Sequence, residues 1–418
     1  MEKIKAIWNK ISIEAIICIV FGMRFIFERA TELQSWSSAW LAMDYSMGSG
    51  SRLLIGSIYR LFYGDFLDYH VAYKYVAVGS GITVLVLAIV LGRMVRIICN
   101  TAPQYKHVAI GAVAAYVASP WSVAYTWNWQ NYGRLDVYML LVGCLGVLVA
   151  LSVKNIYAKY ILFTLLGVIG LAIHQGFAFL FYPMILVVMC YDAFKGDRID
   201  VKNLVLCIIS GLINVAVAVY FQFFSSLHFD TVEDIVADIT ARTNVPVSDW
   251  AIEIEYFGGM KYQLEEITPG FFQNEAPWTH MLLIILLFLP ILGLYVLMWK
   301  DVFAHLRANK VNLLKSPYLY VLLAHLCYVP MFLIHTDWGR HFAPWFTLPT
   351  FIFLFYMAKG EASMRYAFGR MKMRVEKHPW YFVLAIAWIA MFDTFGARAP
   401  FQTQAETLYN FLQYGFFE

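Results

Sequence analysis

Apolar residues in this chain gather in long uninterrupted blocks separated by short polar connectors. A helix that crosses a bilayer needs about 20 consecutive, mostly apolar residues. Eleven stretches meet or approach that demand: 11–27, 71–92, 107–126, 136–153, 160–173, 175–194, 203–224, 280–299, 317–335, 342–358 and 379–396. The fifth and sixth are nearly continuous and part only at Ala172-Ile173-His174. Gly and Pro inside several blocks are compatible with spanning helices, because neighbouring helices satisfy the freed backbone groups. The pattern predicts an all-α, polytopic transmembrane helix bundle of about eleven spans, with residues 1–418 forming one transmembrane domain.

Composition moves the same way. Hydrophobic residues make up 61% of the chain and charged residues 14%, against roughly 45–50% and about 25% in soluble domains. A soluble exterior does not survive that balance, and the mean hydropathy of +0.62 agrees. The net charge of +3 is too small to argue for a nucleic-acid partner. The six cysteines lie in or beside apolar blocks, so their spacing gives neither a disulfide framework nor a zinc site. The basic start, MEKIKAIWNK, has no small-residue cleavage site after it and reads as the flank of a retained first span.

Basic residues set the orientation. With the N-terminus in the cytoplasm, inner segments carry 21 Lys and Arg and outer segments 8, a positive-inside excess that leaves the C-terminus outside. Two outer segments are long. The first, 28–70, contains RLLIGSIYRLF (52–62). At about 100° per residue this reads as an interfacial helix with Leu54, Ile55, Ile58, Leu61 and Phe62 on one face and Arg52, Gly56 and Arg60 opposite. The second, 225–279, is acidic (Glu233-Asp234, Asp238, Asp249, Glu253, Glu255, Glu265-Glu266) and reads as a large outer loop or small helical subdomain whose charges are a solvated surface. The outer tail, 397–418, reads as a further amphipathic helix.

Most polar residues that packing does not explain fall on the outer side. They are Asp44 with the MGSGSR that follows, Asn128 to Asp136 (NWQNYGRLD), His174-Gln175, and His335 to His341 (HTDWGRH). Ionisable groups at membrane depth are costly and usually mark a site; ordinary polar loop ends are the bland alternative. Asp44 is the sharpest candidate, as a general base toward a hydroxyl or as the holder of a divalent cation. Against that stands a simple Asp–Gly–Ser turn. Arg52 and Arg60 are candidate substrate contacts, Arg52 for a phosphate oxygen. Arg340 is a candidate anchor for an anionic leaving group, with Asp337 as a catalytic partner that orients it; a structural Asp–Arg pair is the alternative. Metal ligation by His335, Asp337 and His341 is the weaker reading of the same stretch. Arg134 and Asp136 flank the fourth span beside Trp127 and Trp129, whose rings suit either a sugar or the membrane interface. His174 and Gln175 are candidate contacts, with a buried, hydrogen-bonded His as the plainer reading. Glu14 and Arg24 sit too far apart in the first span to share a turn and pair with other helices.

On these residues the chain resembles the GT-C class of integral-membrane glycosyltransferases. Asp44 in WLAMDYSMG stands where that class carries an acidic residue just after the first span, and Arg340 to Pro349 (RHFAPWFTLP) is similar to the Arg-Tyr-Leu-X-Pro stretch that opens a late span. Tyr45 follows Asp44 where the class usually has a second acid. The resemblance implies a polyprenyl-phosphate-linked sugar as donor, outward-facing chemistry, Asp44 as base and membrane lipid as surroundings. The layout is also similar to O-antigen and exopolysaccharide polymerases, in which Arg52, Arg134 and Arg340 would grip pyrophosphate. The expected activity is therefore sugar transfer from a polyprenyl-phosphate carrier to an acceptor glycan or lipid in the bacterial plasma membrane. A surface-polysaccharide polymerase comes second. A lipid-linked glycan transporter comes third, disfavoured by the lack of an internal repeat, and a membrane scaffold last.

Overall fold

The computed structural model describes residues 12–195, 199–258, 261, 264–265, 268–274, 277–334 and 337–392. The basic N-terminal flank, His335 and the expected tail helix at 397–418 lie outside them.

Almost every described segment is helical. The long helices are α1 (Ile13–Glu28), α2 (Ser35–Ala42), α3 (Leu54–Tyr63), α4 (Tyr69–Thr101), α5 (Lys106–Ala118), α6 (Asp136–Ser152), α7 (Ile156–Ile173), α8 (Tyr182–Phe194), α9 (Val201–Phe223), α10 (Val232–Ala241), α11 (Pro277–Ala308), α12 (Pro317–Leu326), α13 (Trp338–Ala358), α14 (Ala362–Lys377) and α15 (Pro379–Ala390). Starts are written in the sequence. The side chains of Ser12, Asp68, Asn155, Asp200, Thr231, Ser316 and Glu361 each accept a backbone N–H of the helix that follows, which satisfies donors with no intrahelical partner.

Among the described residues, seven helical segments are long and apolar enough to cross a membrane: Tyr69–Thr101, Pro103–Thr126, Ile156–Ile173, Val201–Phe223, Phe288–Ala308, Pro317–Ile334 and Trp338–Ala358. Shorter apolar helices cover Asp136–Ser152, Tyr182–Phe194 and Pro379–Ala390. The chain is thus a multi-pass membrane protein. Its outer surface agrees: α9 exposes Val205, Ile208, Leu212, Val215, Val219 and Phe223, an apolar face that water would not tolerate.

Helix α13 is the axis, buried along almost its whole length and packed against α4, α5 and α8. Helix α4 also packs on α1 and α6. The segment 359–377, read from sequence only as a basic connector, contains the 16-residue helix α14, which packs on α11. Glu14 pairs with Arg96 of α4, another helix, as expected. Arg24 instead binds Glu28 of its own helix, Nε to Oε1 at 2.7 Å, while its Nη1 donates to Val117 O and Ser119 O at the end of α5.

The two long segments 28–70 and 225–279 interlock. Strand β1 (Gly48–Ser49) pairs antiparallel with β2 (Ser226–Leu227), and Leu67 bridges Thr243. Gly48 has φ +153°, and a Cβ there would meet Ser226 O at 2.3 Å. Helix α3 also approaches closely: a Cβ on Gly56 would stand 1.9 Å from Met43 O. Ile55 and Tyr59 are buried on that side, whereas Leu61 and Phe62 are exposed. The helix expected over 52–62 therefore turns its glycine stripe, and with it Arg60, toward Asp44.

Candidate functional site

Asp44 follows helix α2 and caps a single 3-10 turn, Tyr45–Met47, its Oδ1 accepting from Ser46 N at 2.7 Å. Arg60 from α3 donates Nη1 to Oδ1 at 3.0 Å. Arg242, at the end of α10, donates Nη1 to Oδ2 at 3.0 Å and Nε to Asp238 at 3.0 Å. The Asp44 side chain is 4% exposed, whereas Arg242 is 21% and Arg60 36% exposed. The carboxylate is shielded, and the two guanidiniums form its outer rim. Burial pushes the Asp44 carboxyl upward, but the Ser46 hydrogen bonds and the charges of Arg242 and Arg60 outweigh it and hold the group below the ordinary carboxylate value.

That shift has a measurable consequence. A carboxylate held low contributes stability that is whole above its ordinary value of 3.8 and drains away as pH falls through the depressed one. Wild type is expected to melt above Asp44→Asn by a constant margin at neutral pH, and the margin is expected to close below about pH 4. A margin unchanged at pH 3, or absent at pH 7, overturns the clamp.

A second charged group lies at the same end of the bundle. The NWQNYGRLD stretch folds as a compact turn, in which Asn128 Oδ1 accepts from Gln130 N and Asn131 N at 3.1 and 2.9 Å and Gly133 adopts φ +87°. This aims Arg134 at Asp337, Nη1 to Oδ2 at 2.9 Å. Asp337 also accepts from Arg340 Nε at 2.9 Å, and Arg340 Nη1 reaches Asp136 Oδ2 at 2.8 Å. The Tyr125 hydroxyl donates to Asp136 Oδ1 at 3.3 Å. Two arginines and two aspartates alternate, so the group closes without net charge.

Arg52 occupies a backbone conformation costly for its residue type, φ +73°. Its N–H and the Ser51 hydroxyl donate to Ala172 O and Leu171 O, at 3.0 and 2.9 Å, occupying carbonyls in the last turn of α7. The buried guanidinium lies over Trp40 at 4.6 Å, with Nε 3.5 Å from Gln175 Oε1. His174 accepts Gly176 N–H on Nδ1 at 2.8 Å and shapes the turn after α7.

Helix α2 connects the parts. Arg134 lies 5.8 Å over Trp36, Arg52 lies over Trp40, and the two rings meet edge to face at 6.3 Å. Asp44 stands just beyond the same helix. Of the residues singled out from sequence, Asp44 and Arg60 share one cluster, Arg134, Asp136, Asp337 and Arg340 a second, and Arg52 and Gln175 a third against Trp40. His341 is buried beside Phe332, ring centroids 6.1 Å apart. Trp127 is core, edge-on to Phe21 and Phe25, whereas Trp129 is exposed. Among the described residues no group of three His, Cys, Asp or Glu side chains is arranged to hold a metal ion.

Sequence reading missed Arg242, Trp36 and Trp40. The signal for Arg242 was its setting, one of only two cations, with Lys261, in the acidic segment 225–279. For the tryptophans it was their i, i+4 spacing just ahead of Asp44. No family model matches the chain, and neither a curated protein nor a solved structure matches it.

Proposed function

We propose that this protein transfers a sugar from a polyprenyl-phosphate carrier to a hydroxyl of an acceptor glycan or lipid. The observation that carries the reading is the Asp44 carboxylate shielded between Arg60 and Arg242, guanidiniums contributed by two separate segments. Arginine forks suit phosphate oxygens in the bidentate manner. On substrate entry Arg60 and Arg242 move from Asp44 to the donor phosphate, and the carboxylate is released to act as base. The acceptor oxygen then bonds to the anomeric carbon as its proton passes to Asp44. The bond from that carbon to the phosphate oxygen breaks, and the lipid phosphate leaves as an anion held by the arginines. An apolar cavity of 870 Å³ between α1, α5 and α15, lined by Ile17, Val20, Val113, Val117 and Ile386, has the character a prenyl chain requires.

In this reading the chain spans the bacterial plasma membrane about eleven times with its N-terminus inside, its C-terminus outside and the Asp44 end facing outward. The excess of 21 inner over 8 outer basic residues supports that orientation. A polymerase acting on lipid pyrophosphate is the second reading, favoured by a further arginine, Arg52, whose guanidinium lies over Trp40 of the helix that ends just before Asp44.

The test is mass spectrometry of surface glycans from cells lacking the gene, restored with wild type, and restored with Asp44→Asn at matched membrane abundance. Loss of one sugar from otherwise intact chains, unrepaired by the variant, is expected. Collapse of a length ladder to single repeats moves the assignment to the polymerase. Full restoration by Asp44→Asn rejects both.

A further inference from the structure

At the end of the bundle opposite Asp44, a cavity of 480 Å³ opens between α11 and the α14–α15 turn. Its walls are of two kinds. Arg374, Lys377 and His378 supply cationic or protonatable groups, and Leu294, Leu297 and Phe382 supply an apolar floor. Arg374 is fixed by Asp301, Nη2 to Oδ1 at 3.0 Å, and Lys377 and His378 are exposed. Trp380 and Tyr381, 74% and 47% exposed at the start of α15, are amphipathic rings of the kind that settle at headgroup level. Helix α14 brings Arg365, Arg370, Lys372, Arg374 and Lys377 to this end of the molecule.

We infer that this cavity is a binding site for an anionic phospholipid, its phosphate held by Lys377 and His378 with Arg374 behind them and its acyl chain lying along Leu294, Leu297 and Phe382. A basic pocket between membrane helices, floored by apolar side chains and rimmed by interfacial aromatics, has the recognition chemistry of such a lipid. A soluble anion would use the cations and leave the apolar floor without purpose. The proposal does not depend on the sugar-transfer reading.

The test uses the full-length protein in nanodiscs of phosphatidylcholine with and without phosphatidylglycerol, followed by native mass spectrometry of retained lipid. Wild type is expected to retain phosphatidylglycerol over phosphatidylcholine. Lys377→Ala is expected to weaken that preference about fivefold, Lys377→Glu to abolish it, and Lys377→Arg to keep it. Lys372→Ala, which removes a partner of Glu376 outside the cavity, serves as the control and leaves the preference intact. Equal retention of the two lipids by wild type overturns the site, as does a preference that survives Lys377→Glu. If inorganic phosphate added to phosphatidylcholine discs protects Lys377 from amine labelling while phosphatidylglycerol does not, the pocket is a soluble-anion site and the lipid assignment fails.

Discussion

Purified Asp44→Asn is expected to turn over about 100- to 10,000-fold more slowly than wild type, the range that a positioned general base contributes. Asparagine keeps the Oδ1 acceptor for Ser46 N–H, so the 3-10 turn persists, but it cannot take a proton. Arg242→Gln should behave differently. It leaves the base in place and removes one cation from the departing phosphate, so KM rises together with a smaller fall in kcat. The pH profiles carry the sharper test. In the free enzyme Asp44 is held low by the Ser46 hydrogen bonds and, further, by the charges of Arg242 and Arg60. If those arginines transfer to the donor phosphate, the carboxyl in the enzyme–substrate complex rises toward its ordinary value. The acid limb of kcat, which reports the complex, should then lie at higher pH than the acid limb of kcat/KM, which reports free enzyme. Coincident limbs would mean that the clamp never opens, and Asp44 would then be a strut between two loops. A merely structural loss in Asp44→Asn lowers the active fraction without moving either limb.

The bundle was legible because its cause is local. Long apolar runs find their stable setting in membrane helices; helix lies within each of the stretches marked from sequence, and among the described residues seven helical segments are long and apolar enough to span. Helix α14 escaped notice because its mixed charge and hydrophobicity read as a basic connector, although Glu361 caps its start. The candidate site was half legible. Asp44, Arg134 and Arg340 stood out as charges beside apolar blocks, a one-dimensional signal. What each would touch was hidden, since Asp44 meets Arg242 across 198 positions and Arg340 meets Asp136 across 204. Pairings at that separation are set by how helices pack, and single-chain periodicity holds no record of them. The role of Arg242 is hidden for the same reason. In sequence the residue belongs to a solvated acidic loop, and it is the pairing of β1 with β2, which needs glycine at position 48, together with the Leu67–Thr243 bridge, that draws that loop onto the first one.

The largest stability effect is expected at Arg340. Replacing it with methionine leaves Asp136, 3% exposed, with only the Tyr125 hydroxyl among its named partners, and gives the four-residue group a net negative charge. Removing one member of a buried ionic group costs about 3–5 kcal/mol, because the charge left behind is poorly solvated. The paired change tests that cause. Arg340→Met with Asp136→Asn restores neutrality, with Arg134 and Asp337 still paired at 2.9 Å, so the double variant is expected to be more stable than Arg340→Met alone. Unfolding of each variant in a fixed detergent, combined as a double-mutant cycle, should give a coupling of about 0.5–3 kcal/mol. Additive effects, or a single variant within about 0.5 kcal/mol of wild type, would show that the network does not brace the bundle. That outcome would bear on function as well as stability. An arginine that is cheap to remove from two aspartates is one that can leave them, and Arg340 would then join Arg60 and Arg242 as a contact for the departing phosphate. A costly one is a frame that fixes where α6 and α13 begin, and through Arg134 and Trp36 fixes helix α2, from which Asp44 hangs.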